Sequence, residues 1–285
     1  SFQSGIDYYK NINEKFMALS VKNPEHPMPP NPLISLVSVD CAEYASYLCS
    51  EEWGKVRDYL WDQGLQHLVS NRFNRPFYVL ASNTAHILLD AEYGGKVIPE
   101  EKIAELRPQC LHIADATAIA ILNWNSRPES PNAAKLAEAG EGLTIGLLGT
   151  EPTMRQDYLK KQLLKHKGIS KILVPETDAD LRQIFQYIMH ELGMPSEYGP
   201  NGKPIFKPET KQFFVDQARR LYERGCTGGV ICGCTEIELV LEQCDFEKGE
   251  MPNDTNIRLY PSAELHIEGA AEVAAGVRTL EEFLP

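Results

Sequence analysis

The chain has 285 residues, with 28 basic and 40 acidic side chains and a formal net charge of −12 at pH 7. That balance repels a phosphate backbone and no Lys/Arg cluster runs against it, which excludes nucleic acid as a partner and leaves small-molecule chemistry. With 43% hydrophobic and 24% charged residues the composition is that of a folded globular protein, not a disordered or collagenous one. No apolar run reaches the roughly 18 residues that would span a bilayer, and the opening SFQSGIDYYKNINEKF lacks the apolar core of a signal peptide. Seven cysteines, odd in number and irregularly spaced, predict free thiols in a soluble intracellular protein rather than a disulfide scaffold.

In chain order, short apolar runs bounded by breakers predict strands at 32–39 (PLISLVSV), 76–81 (PFYVLA), 109–114 (QCLHIA), 143–149 (LTIGLLG), 171–176 (KILVPE) and 228–233 (GGVICG). Helical patterns occupy 51–70, 116–124, 153–167, 178–193, 208–225 and 265–281. Unbroken apolar strands alternating with helices predict the α/β class, as two parallel sheets covered on both faces. The stretch NSRPESPNAAKLAEAGEG at 125–142 reads as a connector, so a boundary is expected near residue 125. The polar Pro- and Gly-rich segments 22–32 and 195–208 read as surface loops or flaps.

The two halves echo each other. FYVLA runs into Ser82, Asn83 and Thr84, and GGVICG runs into Cys234, Thr235 and Glu236. Each is a strand ending in a small nucleophile, then an amide or hydroxyl side chain, then a helical pattern. In open parallel sheets ligands sit beyond the carboxyl ends of the strands, where unpaired N–H groups of helix starts favour anions. Two such ends suit one small carboxylate or zwitterionic substrate. Cys234 stands out because a thiol at a helix N-terminus has its thiolate favoured by the helix dipole, making a base or nucleophile near neutral pH. A small buried hydrophobe is the alternative use of such a residue. Cys226, Cys232 and Cys234 lack the paired C-x₂-C spacing of a zinc site, so no metal is expected.

These motifs resemble those of the aspartate/glutamate racemase superfamily. GGVICGCTEIELVL is similar to its G-C-T-E-I signature and ASNTAH to its C-N-T-A-H. GLLGTEPTMRQDYLKKQL, with Gly149, Thr150, Thr153 and Tyr158, resembles its G-L-L-G-T-x-x-T segment, and CLHIADATAIAI matches as well. The resemblance runs in order from residue 1 to about 272. It implies two Rossmann-like parallel-sheet domains related by pseudo-twofold symmetry, with a cofactor-free active site in the cleft between them. The domains expected are 1–125, joined by the C-terminal helix 262–285, and 143–261. In the family's racemases two thiols face opposite sides of the substrate α-carbon. The implied catalytic positions are Cys234 and Ser82, with Asn83, Thr84, Thr150, Thr153 and Thr235 holding the carboxylate; Asn and Thr at such turns also serve as helix caps. His266, in YPSAELHIEGAA, matches a family histidine that polarises a ligand oxygen or caps the last helix, although Pro261 replaces an aspartate there.

Three departures from the family pattern bear on substrate. Ser82 stands where the racemases carry the first cysteine, which suits either a one-thiol enzyme or a Cys-to-Ser substitution. VKNPEHPMPPNPLISLVSVDC replaces an Arg-x-x-Gly-Gly-x-His-Ser segment, keeping only Ser38 to Asp40, so the arginine that grips a second carboxylate is absent. Stretches near 91–108 and 195–208 lengthen the interval between the two nucleophile positions. This interval and the SFQSGIDYY start are similar to the algal (Alma-type) dimethylsulfoniopropionate lyases, which release dimethyl sulfide and acrylate. The leading expectation is therefore that lyase activity: α-proton abstraction followed by β-elimination, for which one base suffices. A sulfonium suits aromatic faces, and Phe2, Tyr8, Tyr9 and Trp53 are the candidates, with Tyr9 placed among the substrate-binding residues. An aspartate/glutamate-type amino-acid racemase is the first alternative and a catalytically silent ligand-binding homologue the second.

The resemblance also implies a homodimer or homotetramer. It aligns residue 1 just after the family's first strand and Gly-Gly turn, so a first strand and any targeting leader, a chloroplast one included, are expected to precede residue 1.

Overall fold

Leu143–Gly149 (LTIGLLG) carries one polar side chain in seven and is buried along almost its whole length, the pattern of a strand covered on both faces. The computed structural model, which describes residues 2–20, 30–67, 77–90, 92, 98–137, 142–200, 203–246 and 257–285, makes it the second strand of a four-stranded parallel sheet. The chain divides into two compact units, Ser1–Ile113 with His266–Leu284, and Ala114–Leu265 with Pro285.

Within the first unit lie α1 (Phe2–Leu19), α2 (Cys41–Cys49), α3 (Trp53–Leu60) continuing into a π turn at Trp61–Leu65, a 3-10 turn at Thr84–Leu89, and α4 (Glu100–Leu106). Asp40 starts α2 by accepting the Ala42 N–H at 2.8 Å, the usual work of an N-cap carboxylate. The second unit contains nearly all of α5 (Ile113–Asn125), then α6 (Ala133–Ala137), β1 (Leu143–Gly149), α7 (Glu151–Arg155), α8 (Tyr158–Leu164), β2 (Ile169–Leu173) and α9 (Asp178–Gln186). A two-residue hairpin follows, β3 (Glu197–Tyr198) with β4 (Pro204–Ile205), inside the segment read as a flap. The unit continues with α10 (Pro208–Glu223), β5 (Val230–Gly233), β6 (Leu259–Pro261) and the first residues of α11 (Ser262–Ala274). The division falls at the start of α5 rather than at residue 125 because the side chains of α5 bond within the second unit. Asn125 Nδ2 donates to the Gly228 carbonyl (3.2 Å) and to Tyr260 Oη (2.8 Å), and Asp115 accepts from Gln162 at 2.6 Å.

The sheet runs β2-β1-β5-β6 with every pairing parallel. Phe214 and Ala218 of α10, Ile184 and Ile188, and Leu148 and Val230 of the strands form its core. From β1 the chain goes outward to β2 and returns to add β5 on the other side of β1, so the winding direction reverses between β1 and β5. In α/β sheets that reversal opens the crevice in which ligands bind. In register Leu147 lies opposite Ile231 and Gly149 opposite Gly233. Both glycines are needed for this close approach: a Cβ on Gly149 would lie 2.9 Å from the Gly233 carbonyl oxygen, and one on Gly233 would lie 2.6 Å from Leu147 Cδ1.

The second parallel sheet expected over 32–39, 76–81 and 109–114 is represented, among the described residues, by one parallel bridge between Tyr78 and Cys110. Residues 31–40 have no regular structure, and Leu33 and Leu36 are exposed. Pro30 and Pro32 remove ladder donors at the start of that run. The expected helix 153–167 is interrupted at Gln156, whose backbone is extended between α7 and α8. Residues 22–29 of the first expected loop, Asn201 and Gly202 of the flap, and residues 91 and 93–97 in the lengthened stretch lie outside the described residues.

Candidate active site

The carboxyl ends of β1 and β5 place Thr150 and Cys234 directly after Gly149 and Gly233, at the point where the winding reverses. Thr150 is the N-cap residue of α7, yet its side chain makes no capping bond. Its hydroxyl instead lies 2.9 Å from that of Thr153, which lies 3.1 Å from Tyr158 Oη, a buried chain of three hydroxyls. Thr153 also packs over Gly149, so the short α7 is held against the end of β1.

Cys234 is buried, and its thiol donates to Glu236 Oε2 at 2.9 Å. The Thr235 hydroxyl donates to the same oxygen at 2.7 Å. A hydroxyl has one hydrogen, so in this geometry that of Thr235 is directed to Glu236. Burial, then the charge and the hydrogen bond of Glu236, push the Cys234 thiol well above its ordinary range. This corrects the expectation of a thiolate stabilised by a helix dipole. After Glu236 the chain makes only a 3-10 turn, Ile237–Leu239, too short to sum a macrodipole. Glu238 points the other way, accepting the N–H groups of Ala263 (2.7 Å) and Glu264 (3.3 Å) at the start of α11. Ser262 Oγ lies 3.3 Å from Glu238 and donates to the Cys232 carbonyl at 2.6 Å, which ties the end of β5 to that helix. Burial raises the Glu238 carboxyl to about 8.

In the first unit Ser82 is half-buried and its Oγ accepts a long bond, 3.4 Å, from the Ala85 N–H. Asn83 and Thr84 are buried, and the Asn83 side chain does not cap the turn it begins. The Ser82 main chain is fixed by His86, a residue not singled out in the sequence although it ends ASNTAH. His86 Nδ1–H donates to the Ser82 carbonyl at 2.8 Å while Nε2 accepts the Ile113 N–H at 3.2 Å. The carbonyl can only accept and the amide can only donate, so the ring is neutral with its proton on Nδ1. Burial and the neighbouring His266 push its pKa well below the ordinary value. His266 is fully buried: its Nε2–H donates to the Leu111 carbonyl at 2.7 Å, and Nδ1 accepts from Tyr8 Oη at 2.8 Å. His86 also packs on His112, with ring centroids 4.3 Å apart. Of the neighbouring tyrosines on α1, Tyr8 is therefore turned inward and Tyr9 is half-exposed. Trp53 begins α3, and the Phe2 side chain lies outside what is described.

No family model matches the chain. Its fold is similar to that of a proposed Asp/Glu racemase from Yersinia pestis, at 24% identity and a TM-score of 0.63 over 96% of this chain and 95% of that one. It is also similar to an aspartate racemase homologue from Pyrococcus horikoshii OT3, at 22% identity and a TM-score of 0.57 over the same shares. The likeness is one of fold.

That fold delivers, within the second unit, one thiol paired with a carboxylate and a row of hydroxyl donors at adjacent strand ends. Such a set can move a proton at the sulfur and donate hydrogen bonds to an oxyanion. Among the described residues no three His, Cys, Asp or Glu side chains group as a metal site, and no helix is long and apolar enough to cross a membrane. Tyr158 is named within its motif but has no role assigned from sequence, and the imidazole of His86 is not picked out by sequence. Their bonds to Thr153 and to Ser82 with Ile113 depend on tertiary placement.

Proposed function

We propose that the chain catalyses cofactor-independent proton transfer at the carbon next to a substrate carboxylate, as an enzyme of the aspartate/glutamate racemase type. The observation that carries this reading is Cys234, a thiol held by Glu236 at the end of β5, in register with the strand end that presents Thr150 and Thr153. The racemase names of the two fold neighbours favour the same chemistry. In the proposed reaction the Cys234 sulfur takes the α-proton and the electron pair spreads into the carboxylate. Hydroxyl donors of Thr150 and Thr153 stabilise the enediolate. Proton return from the opposite face needs a second proton carrier, for which the family resemblance offers the position of Ser82, or else solvent.

A second reading, dimethylsulfoniopropionate lyase, is favoured by Ser82 itself. An alcohol is a far weaker acid and its anion far less accessible than a thiolate, so a two-thiol exchange is not available to this chain. Elimination needs one base only: the C–H pair forms the new double bond as dimethyl sulfide leaves from the β-carbon with the C–S pair. The test incubates the protein and its Ser82→Cys variant with L-aspartate, L-glutamate and dimethylsulfoniopropionate in deuterated water. Racemisation predicts α-deuterium with formation of the other enantiomer, rising about tenfold or more when a second thiol is supplied. Dimethyl sulfide release with no gain from Ser82→Cys supports the lyase. Binding without either reaction in both proteins would leave only a silent ligand-binding homologue.

A further inference from the structure

We propose that Glu236 is the proton-holding partner of Cys234: the sulfur passes its own proton to the Glu236 carboxylate as it accepts the substrate α-proton. The inference rests on Cys234 being the reacting thiol and goes beyond that reading by assigning where the thiol proton goes. Its basis is the direction of two hydrogen bonds. An ionised carboxylate only accepts, so the Cys234 S–H and the Thr235 O–H both point at Glu236 Oε2, at 2.9 and 2.7 Å. With its hydrogen turned to Glu236, the sulfur leaves its lone pairs for an incoming proton.

A thiol this buried is a poor source of free thiolate. A relay removes the difficulty, because no uncompensated thiolate has to form. In the step, the substrate C–H bond breaks and a new S–H bond forms. The old S–H bond breaks, a new O–H bond forms on Glu236, and the C–H electron pair moves into the substrate carboxylate as an enediolate. The negative charge thus passes from Glu236 to the substrate. The Thr235 hydroxyl remains bonded to the oxygen that receives the proton, which fixes the carboxyl orientation for the return step or for release of the proton to water. Glu236 is therefore a positioning residue that acts through Cys234.

The experiment compares Glu236→Gln, Glu236→Asp and Cys234→Ala with the wild-type chain, using L-aspartate, L-glutamate and dimethylsulfoniopropionate in deuterated water. Gln keeps side-chain size and an acceptor oxygen but cannot hold a proton. The expected result is a loss of roughly 100-fold in Glu236→Gln, with most activity regained in Glu236→Asp. Glu236→Gln within about threefold of wild type, with Cys234→Ala inactive, overturns the proton-holding role and leaves the Cys234 reading standing. Wild-type activity in Cys234→Ala instead removes the reading beneath it. A second measurement needs no turnover: the Raman S–H stretch of Cys234, isolated as wild type minus Cys234→Ala. It is expected at lowered frequency, moving upward in Glu236→Gln; a band that does not move overturns the thiol–carboxylate pairing.

Discussion

Position 234 and position 82 hold matching places in the two motifs, yet the chain supports them in different ways. Cys234 directly follows a strand with parallel neighbours on both sides, and its side chain has a carboxylate partner at 2.9 Å. Ser82 follows a segment whose described pairing is a single bridge at Tyr78, and a neutral histidine holds its main chain rather than its side chain. A sheet end with an ionisable pair can store and move a proton. A turn pinned through its carbonyl can orient a group but offers no group that titrates near neutral pH. The proposed reaction therefore assigns proton transfer to Cys234 and not to Ser82.

Removing each side chain is the most severe test of that asymmetry. Cys234→Ala is expected to lower α-proton exchange or elimination by about 10³-fold, within the range of a lost general base. Ser82→Ala is expected to cost no more than about tenfold. Rates measured on both variants against wild type check the contrast, and equal losses would mean that the two positions share the proton chemistry.

The histidine that supports Ser82 supplies the next effect, on stability. In His86→Leu the Ser82 carbonyl and the Ile113 N–H lose their partner in a buried setting, each at about 1–3 kcal/mol, so a combined loss of roughly 2–4 kcal/mol is expected from urea unfolding. A loss under about 1 kcal/mol would show that water or a rearranged turn replaces the imidazole. Because His86 is neutral in the fold, lowering the pH through the ordinary histidine range should also destabilise the wild-type chain. The unfolded state takes up a proton there that the buried ring refuses.

Much of this was legible in the sequence where local pattern and burial agree. LTIGLLG and GGVICG are unbroken apolar runs, and both are central strands. The placement of Cys234 directly after the second of these strands was legible for the same reason. PLISLVSV has a similar composition but is preceded by prolines and finds no partner strand among the described residues, so the apolar run alone misled. The helical pattern after Cys234 shortened to one 3-10 turn. Thr235, Ile237 and Val240 are β-branched, which disfavours helix, and the carboxylates of Glu236 and Glu238 turn to Cys234 and to α11. The protonated state of Cys234 was not legible, since it depends on burial and on the direction of one side chain. The ring orientations of His86 and His266 depend likewise on Ser82, Ile113, Leu111 and Tyr8, most of them distant in sequence.

The smallest expected effect concerns what holds the Cys234 turn in place. Glu238 lies four residues beyond the thiol and bonds the start of α11, where burial raises its carboxyl from an ordinary 4.5 to about 8 against the opposing pull of the Ala263 and Glu264 N–H groups. Between those two values the folded chain keeps a proton that the unfolded chain has released. The contribution of Glu238 to stability is therefore full below about pH 4.5, declines as the pH rises, and stops changing above about pH 8. This is the reverse of an ion-paired carboxylate. Glu238→Gln keeps the size and an acceptor for the Ala263 N–H but does not titrate. Urea midpoints at pH 5, 6, 7 and 8 should then fall more steeply for wild type than for the variant, and parallel profiles would mean that Glu238 is ionised throughout, as a simple helix-start carboxylate.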